Sequence, residues 1–131
     1  MIAYISGPMT GIKYYNFPEF NDVEFFLKKK GFEIINPVDI TLKVLKKFIP
    51  NLFLNPEDYD GIEKICQQHP EISYETFLEE DLKEIEKCHC IIMLSGWKNS
   101  KGSLKEYEHA KENNLVLYEL KGKKLIKIDN L

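Results

Sequence analysis

Short apolar or alternating runs are separated along this chain by longer segments with apolar residues at helical spacing. The short runs predict five strands, at residues 2–5, 32–35, 90–94, 115–120 and 124–128. The run at 90–94 is continuously apolar, which is typical of a strand in the middle of a parallel sheet.

The intervening segments predict helices. Asn16 and Glu19 have the spacing of a capping pair, and three lysines followed by Gly31 mark the end of the first helix. Further helices are expected at residues 38–48, 56–68, 73–87 and 103–113. The helix at 73–87 should bury a stripe made of Tyr74, Leu78, Leu82 and Ile85. Strands alternating with helices predict a doubly wound α/β fold with a mainly parallel five-stranded sheet, of flavodoxin or Rossmann-like type.

The length of 131 residues and a hydrophobic content of 44% fit a single domain spanning 1–131. Residues 38–72 lie between core elements and are expected to form a helical insertion or a lid. No apolar run is long enough for a membrane span, and the N-terminal pattern is not that of a secretory signal. Three cysteines, an odd number, favour a reducing cytoplasm.

Charge excludes one class of partner. The net charge is -3, and residues 57–86 are strongly acidic, so a long nucleic acid is not an expected ligand. Cys66 and His69, with Cys88-His89-Cys90, are residue types that bind zinc, but their spacing fits neither a zinc ribbon nor a finger. We therefore predict no metal and no cofactor.

Glu106 is the first candidate for chemistry, with two interpretations. Ser103-x-x-Glu106 has the spacing of a capping box, which would by itself explain both residues. A carboxylate near a helix N-terminus is also held ionised, as a nucleophile must be. Gly102 would allow a ligand to approach the backbone closely. Composition and spacing leave both interpretations open.

Three further residues are candidates with structural alternatives. Asp81 falls on the buried side of its predicted helix, where a carboxylate must be paired or protonated; a boundary aspartate touching solvent is the alternative. Tyr4 lies in the first strand, where most tyrosines are core residues. Trp97 could stack on a base or close a loop. Gly7 and Gly11 match neither nucleotide-binding glycine pattern in full.

These segments together resemble the nucleoside 2-deoxyribosyltransferase superfamily, especially its small bacterial and phage branch. The resemblance is carried by Tyr-Ile-Ser-Gly-Pro-Met-Thr-Gly at residues 4–11, Asn-Phe-Pro-x-Phe at 16–20 and Gly-Trp-x-x-Ser-x-Gly at 96–102. It covers residues 2–37 and 73–120. His89 replaces the aspartate that commonly ends the helix before the third strand of this superfamily.

The resemblance implies roles for particular residues. The strand tyrosine falls on Tyr4, the helix aspartate on Asp81 and the nucleophilic glutamate on Glu106. Ser100 stands where the similar deoxynucleoside monophosphate N-glycosidases have a phosphate-binding serine. The implied substrate-binding residues are Ser6, Gly7, Pro8, Met9, Gly11, Trp97, Ser100, Gly102, Ser103 and, from a neighbouring subunit, Asn130.

The implied activity is a retaining displacement at the anomeric carbon of a nucleoside or nucleoside monophosphate. Glu106 would form a glycosyl ester, Asp81 would protonate the leaving base and Tyr4 would orient Glu106. The enzyme would be a deoxyribosyltransferase or an N-hydrolase, acting as a homodimer or a larger homo-oligomer. The alternative is a catalytically inactive nucleotide-binding module of the same fold, since fold alone does not determine chemistry.

Overall fold

The computed structural model describes residues 1–128, so Asn130 lies outside the described residues. One sheet contains the five strands β1 (Ile2–Ser6), β2 (Glu33–Ile35), β3 (Cys90–Met93), β4 (Val116–Lys121) and β5 (Lys124–Lys127). The α-helices are α1 (Phe17–Lys29), α2 (Pro37–Phe48), α3 (Tyr59–Gln68), α4 (Tyr74–Ile85) and α5 (Lys101–Glu112). Within residues 1–128, no helix is both long and apolar enough to cross a membrane.

The strand order is β2-β1-β3-β4-β5. The first four strands are parallel, and β5 pairs antiparallel with β4. The predicted α/β fold with a mainly parallel five-stranded sheet is thus confirmed, and it is Rossmann-like. The chain reverses its direction of winding between β1 and β3, and in sheets of this kind that switch point is where ligands bind.

The sheet interior follows directly from the apolar runs. All four residues of β3 are buried, as expected for a central strand with helices over both faces. Residues two apart on a strand share a face, so Tyr4 and Ser6 point to the same side of β1. The right-handed crossover rule places α1 and α5 on opposite faces of the sheet. Helix α5 packs over β1, β3 and β4 on the side that carries Tyr4.

The chain between β2 and β3 forms α2, α3 and α4. Helix α2 begins at Pro37, and the side chain of Asn36 caps it by accepting a 2.9 Å hydrogen bond from the amide of Val38. Helices α2 and α4 pack against each other, whereas α3 packs on the short turn at Lys13–Asn16.

Two local predictions are wrong. Asn16 is not a side-chain cap of α1, because its φ of 64° is left-handed and its amide donates a 3.0 Å hydrogen bond to the carbonyl of Pro8. Tyr74 does not belong to a buried stripe. It is 44% exposed, although Ile85 at the other end of α4 is fully buried. Helical periodicity identifies the face that packs inward, but the first residue of a helix can lie beyond the edge of the core.

Candidate active site

Glu106 lies on α5 with its side chain almost completely buried, at 6% exposure. The hydroxyl of Tyr4 donates a 2.8 Å hydrogen bond to Oε2, and the hydroxyl of Ser6 donates a 2.6 Å hydrogen bond to Oε1. Both donors come from the carboxyl-terminal half of β1, and neither is exposed. Each carboxylate oxygen therefore has its own hydroxyl donor, which fixes the orientation of the carboxylate group.

The start of α5 decides against the capping interpretation of Glu106. Helix α5 begins at Lys101, and Ser100 is its N-cap, with the Ser100 hydroxyl accepting a 3.2 Å hydrogen bond from the amide of Ser103. The first turn contains no acidic residue, so Glu106 lies one turn further along. The Ser103–Glu106 capping box is therefore wrong, and the burial of Glu106 needs another explanation.

Asp81 supplies a second carboxyl group at this site. It lies on α4 in a half-buried position, and α4 packs against α5. Burial, followed by the charge of Glu106 and hydrogen bonding with it, raises the pKa of Asp81 to about 10. Asp81 is accordingly protonated at neutral pH.

The pKa of Glu106 is also raised. Burial is the largest cause, and the hydroxyl of Ser6, the carboxyl group of Asp81 and the hydroxyl of Tyr4 favour the charged form and offset the rise only in part. A close carboxyl pair of this kind shares one proton. The local hydrogen bonds favour a protonated Asp81 beside an ionised Glu106. This is an acid next to a charged oxygen nucleophile, the combination required for displacement with leaving-group protonation.

The loop after β1 approaches the neighbouring strand closely. A Cβ atom on Gly7 would lie 2.9 Å from Cβ of Leu94, so only glycine fits there without a shift. Pro8 and Met9 are half-buried, and Gly11 has a left-handed φ of 81°. These residues form the loop beside Ser6, at the switch point of the sheet. Their predicted contact with a substrate stays a prediction.

The ring of Trp97 is packed inside the protein and is not openly exposed for stacking on a base. It is buried, its ring stacks on Tyr107 with centroids 4.8 Å apart, and its indole N–H donates a 2.7 Å hydrogen bond to Glu119. This geometry corresponds to the loop-closing interpretation. Stacking of a base on the indole face that Tyr107 covers is ruled out by this packing.

The predicted serines have different environments. The Ser6 hydroxyl donates its hydrogen bond to Glu106, so this hydroxyl proton is not available to a phosphate group. Ser100 is half-buried and caps α5. Ser103 is only 1% exposed, and its hydroxyl oxygen has no hydrogen-bond partner within residues 1–128. An unpartnered buried hydroxyl is unfavourable and needs an explanation, such as a ligand that the hydroxyl binds.

Sequence reasoning missed two features of this region. The hydroxyl of Tyr74 reaches Gly102, where a Cβ atom would lie 2.9 Å from it. Tyr14, Tyr15 and Asn16 have consecutive left-handed φ angles of 56°, 52° and 64°, a strained arrangement for residues other than glycine. Asn is the only one of the three that favours this region, so the sequence carried a signal at position 16 alone.

The strained turn is held by long-range contacts with α3. The amide of Tyr14 donates a 2.9 Å hydrogen bond to Glu63, and the ring of Tyr14 stacks on Tyr59 at 5.8 Å. The Asn16–Pro8 hydrogen bond links the same turn to the loop after β1. Helix α3 is therefore hydrogen-bonded to the turn at Lys13–Asn16, and this turn is hydrogen-bonded to the loop that follows Ser6 at the end of β1.

Other potential sites lie away from Glu106. A cleft of about 680 Å³ is lined by Asp22, Glu24, Asp39 and Glu57 among others, and a shallower one of about 300 Å³ follows the outer face of α5. The described part of the chain contains no group of three or more His, Cys, Asp or Glu residues that could hold a metal ion. Neither cleft is lined by Glu106 or Asp81, so the candidate active site is the buried region around these two carboxyl groups.

Fold and site define a Rossmann-like α/β protein with a buried, hydroxyl-oriented carboxylate at the switch point of its sheet. The chain belongs to the family described as "Domain of unknown function (DUF4406)", which it matches over residues 1–118. The match includes all of Tyr4, Ser6, Asp81 and Glu106. No curated protein and no solved structure matches the chain.

Proposed function

We propose that this protein cleaves or transfers the N-glycosidic bond of a nucleoside or nucleoside monophosphate by a retaining mechanism. The observation that carries the proposal is the buried Glu106 carboxylate, with one oxygen bound by Tyr4 and the other by Ser6. The raised pKa of the neighbouring Asp81 adds an acid at the same place. The resemblance in sequence supports the choice of a glycosidic bond.

The first step forms a glycosyl ester. An oxygen of Glu106 attacks the anomeric carbon while the bond from that carbon to the base nitrogen breaks, and the bonding pair leaves with the base. Asp81 transfers its proton to the leaving base, which therefore departs neutral. The Tyr4 and Ser6 hydrogen bonds hold the carboxylate in one orientation during the attack, which reduces the entropy lost in reaching the transition state.

The second step regenerates the enzyme. Ionised Asp81 removes a proton from water or from an acceptor base, and that nucleophile attacks the anomeric carbon. The ester bond breaks and Glu106 recovers its charge, so two inversions retain the configuration. Water as the acceptor makes the protein an N-hydrolase, and a base makes it a transferase. The mechanism requires no metal and no cofactor.

Several finer expectations belong to this proposal. Ser100 at the start of α5 favours a monophosphate substrate, since the N-terminus of a helix attracts anions. Residues 38–72 would act as a helical insertion or lid, and the Tyr14–Glu63 hydrogen bond supports this by linking α3 to the turn beside the site. We expect a cytoplasmic homodimer or larger homo-oligomer, with Asn130 of a neighbour completing the site.

The test is incubation with each 2′-deoxynucleoside and its 5′-monophosphate, with and without an acceptor base. Release of free base without an acceptor identifies a hydrolase, and base exchange only with an acceptor identifies a transferase. Glu106→Gln should abolish either reaction, and Tyr118→Phe serves as a control on the opposite sheet face. Binding without turnover of any substrate would instead support an inactive nucleotide-binding module.

A further inference from the structure

Tyr74 lies where α4 crosses the start of α5. Apart from the chain neighbours of Gly102 and the backbone of α5, its hydroxyl is the nearest atom to the position that a Cβ on Gly102 would occupy, at 2.9 Å. The Nζ atom of Lys105 lies 5.6 Å from the centroid of its ring. Gly102 and Glu106 are four residues apart and therefore share one face of α5, and Lys105 lies at the exposed side of that face. The side chain of Tyr74 thus lies along the face that carries the proposed nucleophile.

The same helix supplies Asp81. Tyr74 and Asp81 are seven residues apart, which places them on one face of α4, two turns from each other. That face packs against α5, so both residues are directed toward the Glu106 side of the contact. Burial, followed by the negative charge of Glu106, raises the pKa of Tyr74. The phenol therefore stays protonated at neutral pH and can donate a hydrogen bond.

Tyr74 differs from the other hydroxyls near Glu106. Tyr4 and Ser6 are fully buried and bound to the carboxylate, whereas Tyr74 is 44% exposed. In residues 1–128 the Tyr74 hydroxyl has no hydrogen-bond partner. Packing against Gly102 would be served equally well by phenylalanine, so it does not account for the hydroxyl.

Resting on the function proposed above, we propose that Tyr74 is a substrate-contacting residue whose hydroxyl donates a hydrogen bond to the sugar of the bound nucleoside or nucleotide. The sugar is the relevant group because its anomeric carbon must meet Glu106, and the atoms around that carbon are those that a neighbouring side chain reaches. Gly102 is required for this position of Tyr74, because the Cβ atom of any larger residue would displace the Tyr74 hydroxyl.

The first experiment compares Tyr74→Phe with wild type and with Tyr118→Phe. Tyr118 is a suitable control because Leu117 is in register with Ile91, and Ile91 with Tyr4, which puts Tyr118 on the other face of the sheet. Loss of one hydrogen bond to substrate should lower kcat/KM about three- to tenfold. The melting temperature of Tyr74→Phe should match that of wild type, and Tyr118→Phe should keep its kcat/KM.

The second experiment uses Gly102→Ala. Alanine is a better helix former than glycine, so α5 should not be weakened. Its Cβ would nevertheless displace the Tyr74 hydroxyl, and kcat/KM should fall about as far as in Tyr74→Phe. In the Tyr74→Phe background the same Gly102→Ala change should have little further effect, because the hydroxyl that it displaces is absent. If the losses in kcat/KM from the two substitutions add, Gly102→Ala does not act through the Tyr74 hydroxyl, which would contradict the proposal.

A binding readout separates this inference from the proposed function. Affinity for 2′-deoxynucleoside 5′-monophosphates is measured in a Glu106→Gln background, with and without Tyr74→Phe. A three- to tenfold weaker affinity, about the effect of one lost hydrogen bond, supports substrate contact. If Glu106→Gln abolishes turnover but Tyr74→Phe matches wild type in both assays, the Tyr74 inference alone is wrong. If Glu106→Gln keeps full turnover, the proposed function fails.

Discussion

The hydroxyl of Tyr4 donates a 2.8 Å hydrogen bond to Oε2 of Glu106, a residue 102 positions further along the chain. The bond joins the strand at the switch point of the sheet to the helix that follows β3. Both groups are buried, so the carboxylate has lost most of its contact with water and depends on Tyr4 and Ser6 for its hydrogen bonds. The folded structure thereby holds a charged oxygen in one orientation.

Tyr4→Phe should weaken both stability and activity. The change leaves Oε2 of Glu106 without its hydroxyl donor, and an unsatisfied buried group costs about 1–3 kcal/mol of the free energy of unfolding. We expect kcat/KM to fall by about ten- to a hundredfold, because the carboxylate is less well oriented. Urea denaturation and steady-state kinetics measure the two effects. A variant equal to wild type in both would show that the Tyr4 hydrogen bond orients nothing.

Glu106→Gln should separate activity from stability. The amide has nearly the shape of the carboxylate but cannot act as a nucleophile, so kcat should fall by at least about a thousandfold. A neutral side chain also avoids the cost of burying a charge, so the free energy of unfolding should be unchanged or higher. Unfolding of the variant at a lower urea concentration than wild type would instead indicate a structural role for the charge.

The strands of the sheet could be predicted because each one is indicated by its own short run of residues. A continuously apolar run such as residues 90–94 identifies a central strand without any knowledge of its partners. The start of α5 could not be predicted in the same way. Both Ser100 and Ser103 are suitable caps, and the sequence alone favoured Ser103 because Glu106 follows at the right spacing. In the structure Ser100 caps the helix.

For the candidate site, the sequence indicates residues but not the contacts between them. The resemblance groups Tyr4, Asp81 and Glu106; in the structure Tyr4 is hydrogen-bonded to Glu106, and the charge of Glu106 contributes to the raised pKa of Asp81. Their catalytic roles stay predictions. The role of Ser6 as a second donor to Glu106 depends on a contact across 100 residues, which no local pattern reports. The exposure of Tyr74 likewise depends on where α4 passes the edge of the core.

Asp81 should make stability depend on pH. Its pKa is raised to about 10, whereas an aspartate in an unfolded chain titrates at about 3.9. Between these pH values the folded protein binds a proton that the unfolded chain has released. The free energy of unfolding should therefore be highest at low pH as far as this group is concerned, and should fall as the pH rises toward 10.

Asp81→Asn tests this dependence, because asparagine does not titrate. The variant's free energy of unfolding, measured by urea denaturation from pH 5 to pH 9, should decline less steeply than that of wild type. Its kcat should fall by about a hundredfold or more through loss of the acid. Equal slopes for the two proteins would mean that Asp81 is ionised in the folded state, and the assignment of the proton would be wrong.

Ser103→Ala should stabilise the protein or leave its stability unchanged. The Ser103 hydroxyl is buried and unpartnered within the described residues, so its removal leaves no other group unsatisfied. Alanine is also the better helix former, by about 0.5 kcal/mol. If the hydroxyl binds substrate, KM should nevertheless rise about three- to tenfold, the effect of one hydrogen bond. Thermal unfolding and steady-state kinetics give the two values.

Ser6→Ala is the matched comparison, because the Ser6 hydroxyl is bound to Glu106 and its loss should lower stability. A Ser103→Ala protein that is less stable than wild type would show that the hydroxyl has a structural partner.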